Sequence, residues 1–162
     1  VSHSTAEYCP KCGTRTREEN RYGRLRPTCP TCGNVIFFDP KVAVVAFIAS
    51  DNAVLLIQRA GDPGKGLWAL AGGYVEADED PRDAVMREML EETGLEIRVG
   101  QLLDVFYSGE GGAITIAYAA DVVRGSLKPG DDAAAVAWFG KNELPELVFT
   151  STITLIARWQ TH

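Results

Sequence analysis

No stretch of this chain approaches the roughly 18 apolar residues that a membrane-spanning helix needs, so a helical membrane protein is not expected. The first ten residues, VSHSTAEYCP, lack the apolar core of a secretory leader, which makes a cytoplasmic protein the expectation. Low-complexity segments and long internal repeats are also missing. Cysteine disappears after Cys32, so no disulfide framework spans the chain. Positive charge is scarce in the larger part. Of 16 Lys/Arg and 22 Asp/Glu, residues 1–38 hold six and three, leaving ten and nineteen for residues 39–162. A part this acidic is not built for broad nucleic-acid binding. It suits a protein that collects metal ions and handles a small anionic substrate through them. Gly64-Lys65-Gly66 sits in a Gly/Pro-rich loop, but no Ser or Thr follows the lysine, which excludes a phosphate-binding P-loop.

What is present begins with the four cysteines. They form two C-P-x-C-G repeats, Cys9/Cys12 and Cys29/Cys32, with 16 residues between the pairs. That spacing points to one structural zinc on four thiolates, and the repeat predicts two hairpin-like knuckles, a zinc ribbon. Two disulfides fit less well in a chain with no other cysteine and no secretory leader. A redox pair fits less well still, because neither CxxC opens a helix after a strand. Residues 9–38 are too few for a core of their own, so metal binding would be coupled to their folding.

Asp39-Pro40 marks a boundary, dividing the chain into a ribbon over 1–38 and a larger domain over 39–162. β-branched, apolar runs predict strands at Lys41–Ala49 and Val54–Arg59, joined as a hairpin through Asp51-Asn52. Trp68–Val75 reads as extended. Leu95–Val99, Gln101–Tyr107, Ala113–Val123 and Ala135–Phe139 read as further strands. A helix is predicted from Asp80-Pro81, with Asp as N-cap and Pro at the first helical position, to Thr93, stopped by Gly94. A short helical turn is expected at Asn142–Leu144, and a last helix at Thr150–Gln160 with Ile153, Ile156 and Ala157 on one side. Strands outnumber helices, which implies an α+β arrangement, a mixed sheet flanked by helices.

The most informative stretch runs from Gly72 to Leu95, GGYVEADEDPRDAVMREMLEETGL. At about 100° per residue, Val85, Met86, Met89 and Leu90 share an arc that can face a core. Glu88, Glu91 and Glu92 lie on the other side. Arg87 stands four residues before Glu91 and can pair with it. Three carboxylates so close repel one another unless cations fill the gap. Hard oxygen ligands of this kind suit Mg2+ or Mn2+, ions that bind best when they also touch substrate phosphates. By composition alone, a solvated acidic helix face would explain the same residues.

The spacing G-x5-E-x7-R-E-M-x-E-E-x-G-L, from Gly73 to Leu95, closely resembles the box of the Nudix hydrolases, with every fixed position filled. GLWALAGGYVE before it and AWFGKNELP near the end look similar to that family as well. The resemblance implies an α/β/α sandwich with a mixed sheet, and hydrolysis of a nucleoside diphosphate linked to another group, X. It implies that Glu88, Glu91, Glu92 and the backbone carbonyl of Gly73 bind the catalytic metals. Glu79 and Arg87 would brace loop and helix, and Gly94 would let the chain turn. The base that activates water is Glu88 or Glu91 on this reading. Asp131 and Asp132 occupy the region where family members commonly place one more glutamate; ligation, a water bridge and a plain loop cap all fit. A homodimer is also implied, though no seam is legible.

A ribbon ahead of such a domain resembles two subgroups. NADH pyrophosphatases carry an array rich in Ser, Gln, Pro, Trp and Phe after the box, and QLLDVFYSGEGGAITIAY here has none. The shorter ribbon proteins similar to ADP-ribose and FAD pyrophosphatases fit better. A nucleoside triphosphate pyrophosphohydrolase, and a regulatory module that senses a nucleotide or grips nucleic acid, are the competing functions. Arg59, at a strand end, could meet a phosphate or make a surface salt bridge. Tyr22, Phe37, Phe38, Phe106 and Tyr107 are candidates for stacking on a base, with a core role expected for Phe37 and Phe106. Arg15, Arg17, Arg21, Arg24 and Arg26 are read as a solvated surface, with nucleic acid or a far phosphate as their other use.

Overall fold

The structure, a computed structural model, describes residues 6–50, 52–109, 113–130 and 132–161. The chain divides into two compact units, Val1–Pro40 and Lys41–His162.

In the first unit, strands β1 (Arg17–Arg21) and β2 (Arg24–Thr28) pair antiparallel. The turn between them is Tyr22-Gly23, both at positive φ. Two knuckles flank this hairpin and copy one another. The amide of Gly13 donates to the Cys9 carbonyl at 2.9 Å, and that of Gly33 to the Cys29 carbonyl at 3.0 Å. Both glycines hold a left-handed φ, near 70°, which a side chain would resist.

The second unit holds two sheets. Strands β3 (Val42–Phe47), β6 (Gly72–Tyr74), β7 (Leu95–Tyr107) and β8 (Ile114–Gly125) form one, in the order β6-β3-β8-β7. It is mixed, because β3 runs parallel to β8 and its other pairings are antiparallel. Strands β4 (Ala53–Arg59), β5 (Trp68–Ala69) and β9 (Ala133–Gly140) form the other, in the order β5-β4-β9. The expected hairpin between the first two strands of this unit therefore opens. Ala49 and Val54 still bridge, and Leu55 donates to the Ile48 carbonyl, but β3 and β4 then enter different sheets. The two predicted strands over 95–107 are one bent strand, with register shifts between Glu96 and Asp104.

Alternation along β3 and β4 builds the layers. Val44, Ala46, Ile48, Leu55 and Ile57 join a core with Ala84, Val85 and Met89 of helix α1 (Pro81–Thr93). Val45, Phe47, Val54 and Leu56 point the other way, into a core with Leu155 and Ile156 of helix α2 (Thr150–Gln160). Sheets buried on both faces by helices explain why these strands read as nearly unbroken apolar runs.

Both helices start and end as expected, and Val85, Met89 and Ile156 are buried as expected, but Met86, Leu90, Ile153 and Ala157 are exposed, so the buried face of each helix is rotated. In α1 the buried residues are Ala84, Val85, Met89, Glu92 and Thr93, while Met86 and Leu90 are exposed. The core-facing arc thus runs through Glu92 rather than opposite it. In α2, Ser151, Thr152, Leu155 and Ile156 are buried and Ile153 is exposed. The Thr152 hydroxyl accepts from the Leu70 amide at 3.2 Å, which lets a polar side chain sit in the core. Residues 141–142 form a turn, and the predicted helical turn at 142–144 is absent. Among the described residues, no helix is long and apolar enough to cross a membrane.

Candidate active site and cysteine cluster

Helix α1 begins where its sequence says. The Asp80 carboxylate accepts from the Arg82 amide at 2.8 Å, and Pro81 occupies the first turn. Its other end is closed by Gly94, at φ 70°, whose amide donates to Leu90. A loop after β8 completes that end, with the amides of Lys128 and Gly130 donating to the Thr93 and Glu92 carbonyls at 2.9 and 3.0 Å. Four carbonyls at a helix C-terminus lack partners within the helix, and these three donors serve those of Leu90, Glu92 and Thr93. Gly130 approaches so closely that a Cβ there would stand 1.7 Å from the Glu91 carbonyl oxygen. This contact brings the following loop, with Asp132, beside the acidic end of α1. Asp131 lies outside the described residues.

Glu88, Glu91, Glu92, Gly130 and Asp132 line one cleft of about 470 Å3. Glu92 is only 5% exposed. One carboxylate oxygen accepts from the Gly72 amide at 2.8 Å. Burial pushes the Glu92 carboxyl up to about 7, helped by the neighbouring Glu88 and Asp132 and opposed by the Gly72 amide and Arg59. Glu88 is also raised, chiefly by burial, although Arg87 draws it down. Its carboxyl group lies against Gly73, where a Cβ would come within 2.3 Å of it.

Arg87 ties the loop to the helix. Its Nε and Nη2 donate to the two oxygens of Glu79 at 2.8 and 2.9 Å, and Nη2 also reaches the Tyr74 carbonyl at 3.1 Å. Its Nη1 serves Glu88 at 2.8 Å and Glu91 at 3.2 Å. The planar fork makes this set of contacts possible; a lysine has one nitrogen for all of them. Glu79, held by Arg87 and by the Glu76 amide, sits at about 2, well below the usual carboxylate range. Arg87 is correspondingly raised, first by Glu79 and then by Glu88.

The remaining candidates are dispersed. Arg59 ends β4, donates from Nε to the Pro63 carbonyl at 2.7 Å, and lies with its guanidinium 5.0 Å from the Phe149 ring centre. It is near enough to lower Glu92 electrostatically. Tyr107 is 70% exposed on β7, the opposite edge of the four-stranded sheet from Gly73. Three strand spacings, about 14 Å, separate those edges. Phe106 packs into the α2-side core as expected, but Phe37 is half exposed, because the small first unit has no core to receive it. The sequence pattern does not single out Gly72, Gly130 or Phe149. The Pro129-Gly130 pair signals a turn, but only the folded chain shows that the turn seats on α1.

These oxygen donors fit a hard divalent cation. Burial raises the carboxyl groups of Glu88 and Glu92, and the missing side chain at Gly73 leaves room for the Glu88 carboxyl group. Among the described residues, a second cleft of about 400 Å3 near Asn52, Lys141 and Glu143 is lined by one carboxylate, that of Glu143.

In the first unit, the four cysteine sulfurs lie within 4.8 Å of one another. Sγ–Sγ separations of 3.5–3.6 Å for Cys9–Cys32, Cys12–Cys29 and Cys12–Cys32 are far beyond a disulfide bond and close to the about 3.8 Å edge of a tetrahedral zinc–thiolate site. Cys9 and Cys29 are buried, Cys12 and Cys32 exposed. Hydrogen bonding with Thr14 lowers the Cys12 thiol to about 6, while Cys32, opposed by the Asn34 backbone, is pushed up to about 12 by its bonds to the other three thiols and by burial.

A two-sheet α/β fold that carries a box of carboxylates braced by arginine on its first long helix defines a metal-dependent hydrolase class. Residues 39–159 match the NUDIX domain, and the chain belongs to that family. It is a Nudix pyrophosphohydrolase; membership implies a divalent metal and substrates among nucleoside diphosphate derivatives. An ADP-ribose pyrophosphatase of Methanocaldococcus jannaschii is 45% identical over 118 residues, 70% of each chain. An NAD-capped RNA hydrolase, NudC, of Vibrio parahaemolyticus is 27% identical over 154 residues, which cover 90% of this chain and 55% of that longer one. Among solved structures, a NUDIX hydrolase from Nitrosomonas europaea superposes with a TM-score of 0.89 at 26% identity, covering 96% of this chain and 91% of the other.

Proposed function

We propose that the protein hydrolyses ADP-ribose or a closely similar nucleoside diphosphate derivative into two phosphomonoesters, using Mg2+ or Mn2+. The observation that carries this reading is the cleft in which Glu88, Glu91, Glu92 and Asp132 converge. The 45% identity to an ADP-ribose pyrophosphatase supports the choice of substrate. Residues 39–162 act as the catalytic domain and residues 1–38 as a structural zinc ribbon on Cys9, Cys12, Cys29 and Cys32.

Glu88, Glu91, Glu92 and the Gly73 carbonyl would hold the divalent ions, whose chemistry is to neutralise phosphate oxygens and acidify a bound water. The chain's own residues then do three things. Gly72 and Arg87 hold the carboxylates in place before substrate arrives. Glu88 or Glu91 accepts the proton as water oxygen adds to one phosphorus and the bond from that phosphorus to the bridging oxygen breaks. Arg59, backed by Phe149, meets the substrate's phosphates. Asp132 completes the cleft from the loop side.

The test is a substrate panel with Mg2+: ADP-ribose, FAD, NADH, a nucleotide sugar and the nucleoside triphosphates. AMP plus ribose 5-phosphate from ADP-ribose is the expected outcome. Faster release of pyrophosphate from triphosphates would overturn the substrate, and undiminished turnover in both Glu91→Gln and Glu92→Gln would overturn the site.

A further inference from the structure

The β1–β2 register sorts the ribbon's charges in a way the linear sequence conceals. Glu19 pairs with Arg26 and Arg21 with Arg24, while Arg17 pairs with Thr28. Directly paired residues share a face, as do residues two apart. One face of this hairpin therefore carries Arg17, Arg21, Arg24 and Arg26 around a single carboxylate, Glu19. Glu19 is bonded to Arg17 and Arg21, which leaves the face with a surplus of three positive charges.

Aromatic rings join this face. The Arg26 guanidinium lies 4.6 Å from the centre of the Phe37 ring, and Phe37 stacks on Tyr22 with centroids 6.0 Å apart and planes at 28°. Phe37 is 50% exposed and Tyr22 80%. Tyr22 also holds φ 53° at the first central position of a two-residue turn. Asparagine, aspartate or glycine ordinarily fills that position, and a tyrosine there is strained. Tyr22 thus holds a strained backbone while most of its ring stays exposed, and Arg26, whose Nε donates to the Arg21 carbonyl at 3.3 Å, holds its guanidinium over Phe37.

We propose that this face binds single-stranded RNA. Guanidinium groups follow the phosphates, and unstacked bases lie on Tyr22 and Phe37. Positive charge combined with flat exposed rings matches a polyanion whose bases are free to stack, and single-stranded RNA offers both. A duplex keeps its bases stacked on each other and would use only the charge.

The experiment is fluorescence anisotropy of a labelled 20-nucleotide oligouridylate with the zinc-loaded full chain across a salt series. Binding should weaken as salt rises. Arg24→Gln combined with Arg26→Gln should flatten the log–log salt slope by about 1.4, the change for two phosphates on a single strand. Tyr22→Asn should cost at least about fivefold in affinity. It should also leave thermal stability equal or higher, because asparagine suits the turn. Phe37→Leu keeps apolar bulk without a flat ring and should weaken binding similarly. One zinc per chain in each variant shows that the ribbon is folded. The proposal fails if the oligonucleotide does not bind at low salt, if a 20-base-pair duplex binds as tightly, or if Tyr22→Asn binds RNA like the parent. It fails equally if the arginine changes instead dissolve a dimer, since the face would then belong to a second copy of the chain.

Discussion

The Gly72 amide points at the Glu92 carboxylate from 2.8 Å, joining β6 to α1 at the point where the helix is both acidic and buried. A Cβ at Gly72 would meet the Val44 carbonyl oxygen at 2.0 Å, so the strand that supplies this amide can lie against β3 only as glycine. One donor compensates only part of the cost of burying a charge.

Stability of the metal-free protein should therefore fall as pH rises from about 4.5 to about 7. Glu92 has a folded value raised above its ordinary 4.5 to about 7. The folded state holds that proton more tightly than the unfolded chain, so the benefit is complete below 4.5 and gone above 7. The shift corresponds to roughly 3 kcal/mol, which for a domain of this size is on the order of 10 °C in Tm. Thermal melts in a chelator at pH 5 and pH 8 measure it. Glu92→Gln should flatten the difference, and added Mg2+ should restore the pH 8 value for the parent alone.

Gly73→Ala should separate activity from folding. The new methyl group would stand 2.3 Å from the Glu88 carboxyl group. That group is the end of a flexible side chain and can move aside, so Tm should change little. Displacing a reacting group by about 1 Å can cost about 100-fold in rate, and kcat should fall on that scale. A full kcat with unchanged metal affinity would show that Glu88 does not act from this position.

Arg87→Lys should behave like a loss of Arg87, because a single ammonium cannot span Glu79, Glu88, Glu91 and the Tyr74 carbonyl. A drop of about 10-fold or more in kcat/KM is expected. Glu79→Gln should lower it too, and the double variant should be no worse than Arg87→Lys alone. Simple multiplication of the two effects would mean that the pair does not work as a unit. Glu79 also sets an acid limit. Its folded value lies near 2, against an ordinary 4.5. Its contribution is complete above 4.5 and lost as pH falls toward 2, so Glu79→Gln should blunt acid unfolding of the metal-free protein.

Metal analysis should find one zinc per chain, bound by the four-sulfur cluster. Cys29→Ser, at a buried sulfur, should abolish it. Hydrogen exchange should then lose protection at Cys9, Gly13, Cys29 and Gly33, whose amides close the knuckles. Protected knuckles in zinc-free protein would show that the small hairpin folds without metal.

Much of the site was legible because its residues are close in sequence. A single helix carries Arg87, Glu88, Glu91 and Glu92, and helical geometry relates them whatever surrounds the helix. The face that α1 buries was not legible. Periodicity placed Met86 and Leu90 inward, yet both are exposed and Glu92 is buried, because the cleft is part of the core-facing side. The opened hairpin was hidden for a related reason. Strands apolar on both faces look alike whether they pair with each other or enter two sheets, and only Ala49–Val54 keeps the hairpin contact.

The sequence by itself determined the box from Gly73 to Leu95, the helix limits at Asp80 and Gly94, and the cysteine quartet. Each depends on local spacing, capping or turn chemistry, which a linear pattern carries. Tertiary structure alone decided that Gly72 serves Glu92, that Gly130 seats the Asp132 loop on α1, and that Tyr107 stands on the far edge of the sheet. It also decided that four arginines gather on one face of the ribbon hairpin. Those relationships depend on strand register and on close backbone approach between distant segments, and no spacing along the chain encodes either.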